Sequence, residues 1–350
     1  MAEFTVNASV TRPTIKDVAR AANVSQSTVS YILNKAQASE RISEQTKQRV
    51  LLAVEQLGYR FNPIGRALQR GYTNEVTLLI VTWNLATSHA ATALAISRAT
   101  AKYELALNVH VAEDDKTAEA FVRRGVFHSL GGVLVLWDSP AFQESSLRDV
   151  GREGVPIIDL LPGTPDGISV VTADREDAGF KGTRHLVELG HDCIGFIGDA
   201  ETRPKTTLRK LAGYRRALES AGMEFKPEFV QDVSEFGFEG GRRGFDELAG
   251  RCPEVSGLFC INDAIALGAM DAARDMGRDC PKKVSIVGFG DSPEGSHWRP
   301  KLTTIALSSS RVANSAIELV LEQRRTSDLK PQTILIPEEV VVRDSTGPAI

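Results

Sequence analysis

Cysteine is scarce in this chain: four in 350 residues (Cys193, Cys252, Cys260 and Cys280), with no CxxC pair and no histidine at metal-ligand spacing. That spacing argues against a zinc finger or a disulfide framework. Cys193 and Cys260 fall in apolar, strand-like runs, where a thiol acts as a small buried hydrophobe. No apolar run reaches the roughly 18 residues that span a bilayer. The opening MAEFTVNASV has neither the basic region nor the apolar stretch of a signal peptide, so a cytoplasmic protein is expected. Also missing are GxSxG, HExxH and GxxxxGK[ST], the signatures of a serine hydrolase, a zinc protease and a phosphate loop. Gly288-Phe289-Gly290 has no third glycine, and the six histidines share no spacing. Neither an enzyme, a metal site nor a cofactor is expected.

What is present describes a globular chain of more than one domain, with 42 % hydrophobic residues. Its net charge of −4 hides an asymmetry. Residues 1–75 hold ten Lys/Arg against six Asp/Glu, leaving 31 against 39 in the remainder. A basic head on an acidic body suggests that the head alone meets a polyanion.

The head has helical punctuation. Thr14 stands before an amphipathic run with Asp17 three residues on, a variant of the capping box. Val18, Ala19 and Ala22 then share one face. Asn23 suits a tight turn. Ser25 can cap a second helix whose inner face is Val29, Ile32 and Leu33. Gln26, Ser27 and Ser30, with Thr28 beside them, then point outward. A third helix from Ser43 should bury Val50, Ala53, Val54 and Leu57 before Gly58 stops it. Two short helices around a tight turn, closed by a third, make a helix-turn-helix. The second helix has an uncharged polar outer face of amides and hydroxyls, the groups that base edges pair with. A three-helix bundle without DNA is the competing reading of the spacing.

The stretch TIKDVARAANVSQSTVSYILNK, followed by ISEQTKQRVLLAVEQLGYRFNPIGRAL, resembles the headpiece of the lac/galactose repressor family. The resemblance implies that Gln26 and Ser27 read major-groove bases. Thr14, Ser25, Thr28, Ser30 and Asn34 match positions that support the contact or touch phosphate. Asn62-Pro63-Ile64-Gly65-Arg66-Ala67-Leu68 matches the family's hinge helix, which folds on DNA, and Leu68 the leucine wedge that kinks the duplex. Gly65 stands where relatives have alanine and should make the hinge harder to order.

From Val76 onward, apolar runs at 76–81, 107–112, 132–136, 156–160, 193–198, 258–261 and 284–289 alternate with helical segments. That pattern reads as repeated βαβ units in doubly wound parallel sheets, and the length suggests two lobes with a ligand cleft at the strands' carboxyl ends. HLVELGHDCIGFIGD, LAGYRRAL, CINDAIALGAMDAARDMG, VSIVGFGD and RPKLTTIAL are similar, in order, to segments of the family's periplasmic-binding-protein-like cores. The expected organisation is a leader 1–13, a helix-turn-helix domain 14–60, a hinge 61–72 and a body 73–345. The resemblance implies an N-lobe near 73–172 plus 307–335 and a C-lobe near 173–306 plus 336–345. It also implies a homodimer on a near-palindromic double-stranded operator. No heptad-patterned tail points to a tetramer.

Several pocket positions depart from the family. Gly290 replaces an aspartate that grips ligand hydroxyls, Leu161 an acid, Leu208 an arginine and Leu307 a glutamine. Asp159, Arg209 and Lys210 lie close by. Asn262, Asp263 and the aromatic Phe236 are retained, while Trp83, Asn84 and Trp137 fall at strand ends where pocket rims are built. The expected effector site is thus Trp83, Asn84, Trp137, Arg209, Lys210, Phe236, Asn262 and Asp263, with aromatic walls and few polar anchors. A small-molecule effector, such as a sugar, a nucleoside or a related metabolite, fits this reading. So does a protein partner docking on a body with a vestigial pocket. A sugar-processing or sugar-carrying protein with an incidental N-terminal bundle is a third reading, opposed by the headpiece.

Overall fold

A computed structural model of the chain describes residues 13–33, 41–59, 73–82, 87–124, 131–139, 146–161, 167–199, 204–235, 237–326 and 330–350. Two compact units separate at Gly71 and Tyr72.

The first unit contains helices α1 (Ile15–Ala22), α2 (Gln26–Leu33) and α3 (Glu44–Leu57). The Asp17 carboxylate accepts hydrogen bonds from the Thr14 N–H at 2.9 Å and the Thr14 hydroxyl at 2.7 Å, which holds its pKa below the usual carboxylate value. Asn23 ends α1 in the left-handed conformation, at φ 50 and ψ 53. Ser25 caps α2 by accepting the Thr28 N–H at 3.0 Å. Val18, Ala22, Val29, Ile32, Val50 and Ala53 form the common core. Leu57 departs from expectation and is 36 % exposed. It sits in the last turn of α3, where Tyr59 folds back to bond the Val54 carbonyl and packs on the core instead.

The second unit is built on two six-stranded sheets. One runs β11-β5-β4-β3-β1-β2, from β1 (Glu75–Val81), β2 (Ala106–Ala112), β3 (Gly132–Trp137), β4 (Ile157–Asp159), β5 (Ser169–Ala173) and β11 (Thr333–Ile336). The other runs β12-β10-β9-β8-β6-β7, from β6 (Ile194–Gly198), β7 (Val230–Asp232), β8 (Gly257–Cys260), β9 (Ser285–Phe289), β10 (Thr303–Ala306) and β12 (Glu339–Val341). All pairs are parallel except β10 with β12. Parallel pairing requires helical crossovers. The first sheet has α4 (Thr87–Ala101), α5 (Asp115–Arg123), α6 (Leu147–Arg152) and α12 (Ser309–Thr326). The second has α7 (Arg175–Glu188), α8 (Pro204–Ser220), α9 (Phe238–Arg251), α10 (Asp263–Asp275) and the short α11 (Pro293–His297).

The chain passes between sheets after β5, after β10 and after β11. Each lobe keeps its own apolar interior: Leu78, Ile80, Leu134, Ile158 and Ile317 in one, and Phe196, Tyr214, Phe245, Phe259 and Ile286 in the other. The passages are hydrogen-bonded to one another. Asp174 N–H donates to the Ile336 carbonyl at 3.0 Å, and Ser308 N–H donates to Oε2 of the fully buried Glu338 at 2.9 Å.

Glycines set the helix pairs of the C-lobe. An added Cβ at Gly179 of α7 would lie 2.1 Å from the Lys210 carbonyl oxygen of α8, and one at Gly213 of α8 would lie 2.0 Å from that of Glu176. Backbone therefore meets backbone at this crossing, and α8 is held in fixed register against α7. Gly241 and Gly268 do the same for α9 and α10.

Candidate functional site

In the head, α2 presents Gln26 and Ser27 to solvent, while Val29 and Ile32 turn inward. Thr28 is half-buried, with its hydroxyl 2.8 Å from that of Ser25, so it serves the cap. Thr14 and Ser25 are exposed at the starts of their helices, and Ser30 is half-buried. Tyr31, 46 % exposed, joins this outer face four residues after Ser27. The helical repeat alone could have flagged it. Asn34, Asn62 and Leu68 lie outside the described residues, as do Trp83, Asn84 and Phe236 in the body.

In the body, side chains from both lobes converge beyond the strands' carboxyl ends. Asp138 follows β3 in the N-lobe, and Thr206 on α8 of the C-lobe donates its hydroxyl to Asp138 Oδ2 at 3.3 Å. Lys210, one helical turn further on, is 4 % exposed and donates Nζ to the Ile261 carbonyl at 2.9 Å. Its ammonium lies 3.9 Å from the centre of the Phe289 ring, and the Arg175 guanidinium lies 4.8 Å from the same ring. Burial, and then the charge of Arg175, push the Lys210 pKa well below its usual value, while Asp138 and Asp263 oppose the shift. Burial likewise lowers that of Arg175, against the fields of Glu338 and Asp138.

Asn262 and Asp263 divide their labour. Asn262 is the N-cap of α10, its side chain accepting the Ile265 N–H at 2.7 Å. The buried Asp263 accepts the Thr304 hydroxyl at 2.6 Å and the Ser292 N–H at 2.5 Å. Burial still raises its pKa. Both side chains therefore have structural work at the cleft floor.

Two expected pocket residues are corrected by where their side chains lie. Trp137 is 1 % exposed within the N-lobe interior, and its indole N–H donates to Asp115 at 2.6 Å, so its ring is no pocket wall. Arg209 is exposed on the outer face of α8. Helical spacing turns Thr207 and Lys210 inward and leaves Leu208 and Arg209 outside. Leu208, 53 % exposed, therefore removes no anchor from the cleft. Leu161 is a buried core residue whose N–H donates to the Asp159 carboxylate at 2.9 Å. Gly290 has φ +129, and an added Cβ there would lie 3.7 Å from Asp263 Oδ2.

Arg175, Phe289 and Asp138 share no motif, which is why spacing does not single them out. Each stands at, or one or two residues beyond, a strand's carboxyl end, and that position is the usable signal. Among the described residues no cluster of His, Cys, Asp or Glu could hold a metal ion. No helix among them is long and apolar enough to cross a membrane.

A helix-turn-helix unit with an uncharged polar outer face, joined to a two-lobed α/β body with a charged cleft, defines a DNA-binding regulator with a ligand-binding-type body. Comparison with known proteins agrees. Residues 14–62 match the family of bacterial regulatory proteins described as lacI family, and residues 183–346 match a periplasmic binding protein-like domain. The HTH-type transcriptional repressor PurR of Mannheimia succiniciproducens is 30 % identical over 342 residues, covering 95 % of this chain and 98 % of that protein. The HTH-type transcriptional regulator RegA of Clostridium saccharobutylicum is 29 % identical over 340 residues, with the same coverage. Among solved structures, a lac repressor dimer bound to operator and the anti-inducer ONPF superposes with TM-score 0.79 at 22 % identity, over 96 % of this chain and 99 % of that one. The chain belongs to the lacI family. It is a DNA-binding transcription regulator of the repressor type and not an enzyme.

Proposed function

We propose that the protein represses transcription by binding a near-palindromic operator as a homodimer, under the control of a small molecule held between the lobes of its body. The observation that carries this reading is the outer face of α2. Gln26 and Ser27 stand exposed at its first turn, where amide and hydroxyl groups can pair with base edges in the major groove. Thr14, Ser25, Thr28, Ser30 and Asn34 would position the backbone or contact phosphate, with Asn62 and Leu68 acting at the hinge and the minor groove.

Dimerisation is supported by the N-lobe edge. Val109 and Val111, two residues apart on the edge strand β2, are 49 % and 42 % exposed, and apolar side chains on one face of a free edge favour burial against a partner. The occupant of the cleft is supported by the charged groups from both lobes that meet there. A transcriptional regulator CelR, 25 % identical with TM-score 0.70, is known as a complex with cellobiose.

The test is selection of genomic fragments by the purified full-length protein, followed by sequencing. Two half-sites related by a dyad are expected, and a single asymmetric motif would refute the dimeric mode. A thermal-shift screen of sugars, nucleosides and phosphorylated metabolites on the same protein tests the effector, since a ligand of the native state raises the melting temperature. A body that responds to no small molecule but to a protein partner would favour the vestigial-pocket reading.

A further inference from the structure

We propose that the cleft binds an anionic effector, a small molecule bearing a carboxylate or phosphate group, through Arg175 and Lys210 at the Phe289 ring. The inference rests on the effector reading above and narrows it to one chemical class.

The geometry begins with two cations on one ring. The Lys210 ammonium and the Arg175 guanidinium lie 3.9 Å and 4.8 Å from the centre of Phe289. A π-face attracts either charge, but like charges held together in a dry site repel strongly. Burial and this mutual repulsion both press on Lys210.

The two cations are incompletely hydrogen-bonded inside the chain. Lys210 gives one N–H to the Ile261 carbonyl, while an ammonium has three to give. Among the described residues Nε of Arg175 has no hydrogen-bond partner, although it is wholly covered. The carboxylates in range hold hydrogen bonds of their own, although among the described residues Glu338 Oε1 has none. Asp263 accepts from Thr304 and Ser292, Asp138 accepts from Thr206, and Glu338 Oε2 accepts from Ser308. Their fields reach the cations, but no described carboxylate hydrogen-bonds to Arg175. A covered guanidinium with an idle Nε edge is poised for the two parallel hydrogen bonds that a carboxylate or phosphate accepts.

Charge placement also fits a two-ended ligand. Asp138 and Thr206 link the lobes beside the cations, so a ligand with its anion on Arg175 and Lys210 can offer a hydroxyl to Asp138. Simple neutral sugars would leave both cations without an oxyanion and would bind less well than their acidic forms.

The test uses the full-length protein and calorimetry. Glucose, gluconate and glucose 6-phosphate are compared, with inorganic phosphate as the minimal probe and chloride at matched ionic strength as the control. At least one anionic sugar should bind about tenfold or more tightly than glucose, and phosphate should bind saturably. Arg175→Gln should abolish that preference, and Arg175→Lys, which keeps the charge and loses the fork, should retain part of it. The idea fails if phosphate shows nothing beyond the chloride control, if glucose binds as tightly as its acids, or if the preference survives Arg175→Gln. Should Arg175→Gln not fold, the comparison of Arg175→Lys with the parent decides on the same criterion. Operator affinity measured alongside separates the two readings. Anion binding that leaves operator affinity unchanged defeats effector control but keeps the site, and an operator response to glucose alone does the reverse.

Discussion

Asp263 and Thr304 meet at 2.6 Å, the β10 hydroxyl donating to a carboxylate in the first turn of α10 whose other oxygen takes the Ser292 N–H. One buried acid thus joins a strand, a helix and the turn after β9. Asp263→Ala would leave both donors without their acceptor, at a cost of about 1–3 kcal/mol for each buried group. Chemical denaturation of the body should show that loss, with Asp263→Asn recovering part of it. An Ala variant as stable as the parent would remove the structural role.

Gly290 bears on sugar recognition through its backbone. At φ +129 a side chain is strained, so Gly290→Ala should cost about 1–3 kcal/mol. Restoring the family's aspartate by Gly290→Asp adds a second carboxylate against Asp263. The variant should melt lower than the parent and gain no hexose affinity. Micromolar binding of a plain hexose to Gly290→Asp would disprove this.

Glu338 predicts a pH dependence. Burial raises its pKa above the ordinary 4.5, and Arg175, Arg311 and Lys181 only partly oppose the shift. A raised folded-state pKa favours the protonated form on folding, so this contribution is present below 4.5 and is lost as pH rises through the higher folded value. Glu338→Gln keeps an acceptor for Ser308 and removes the charge. Urea titrations of parent and variant at several pH values should show the variant gaining relative stability as pH rises from 4.5 towards neutrality. Parallel curves would rule out the titration.

The α7–α8 crossing predicts a defect that reaches the cleft. Gly179→Ala places a methyl on the Lys210 carbonyl, so α8 must move and carry Lys210 with it. Overpacking of this kind costs about 1–3 kcal/mol or more. Effector response should fall while operator binding by the full-length variant without effector stays close to that of the parent. A normal response in Gly179→Ala would show that the crossing yields without moving the lysine.

In the head, Gln26→Ala should weaken binding to the best operator by about 1–3 kcal/mol and relax preference at one base position of each half-site. Fluorescence anisotropy against a panel of single-base variants would read this. Equal loss on every sequence would mark Gln26 as a phosphate contact.

The sequence made the architecture legible where elements are long or well punctuated. The caps at Thr14, Ser25 and Ser43 and the apolar runs at β1, β3, β6 and β9 are readable because burial on both faces leaves few polar interruptions. Strands β5, β7, β10, β11 and β12, three to five residues each, are too short to show a period. The cleft was less legible because it is assembled from single residues brought together by the crossovers. Lys210 was separable from Arg209 and Leu208 by helical phase alone, whereas Trp137 shows that a strand-end position does not settle which side of the sheet a ring takes.

The three passages between lobes have a mechanical consequence. Each sheet closes over its own interior, and the lobes meet through short connections and the Thr206–Asp138 hydrogen bond, so a turn of one lobe against the other by a few backbone torsions would break that contact and leave both cores packed. The work of such a turn is done at Asp174, Ser308 and Glu338, whose hydrogen bonds tie the passages together. A ligand therefore need not repack either interior to be felt; it has only to prefer one angle of the hinge.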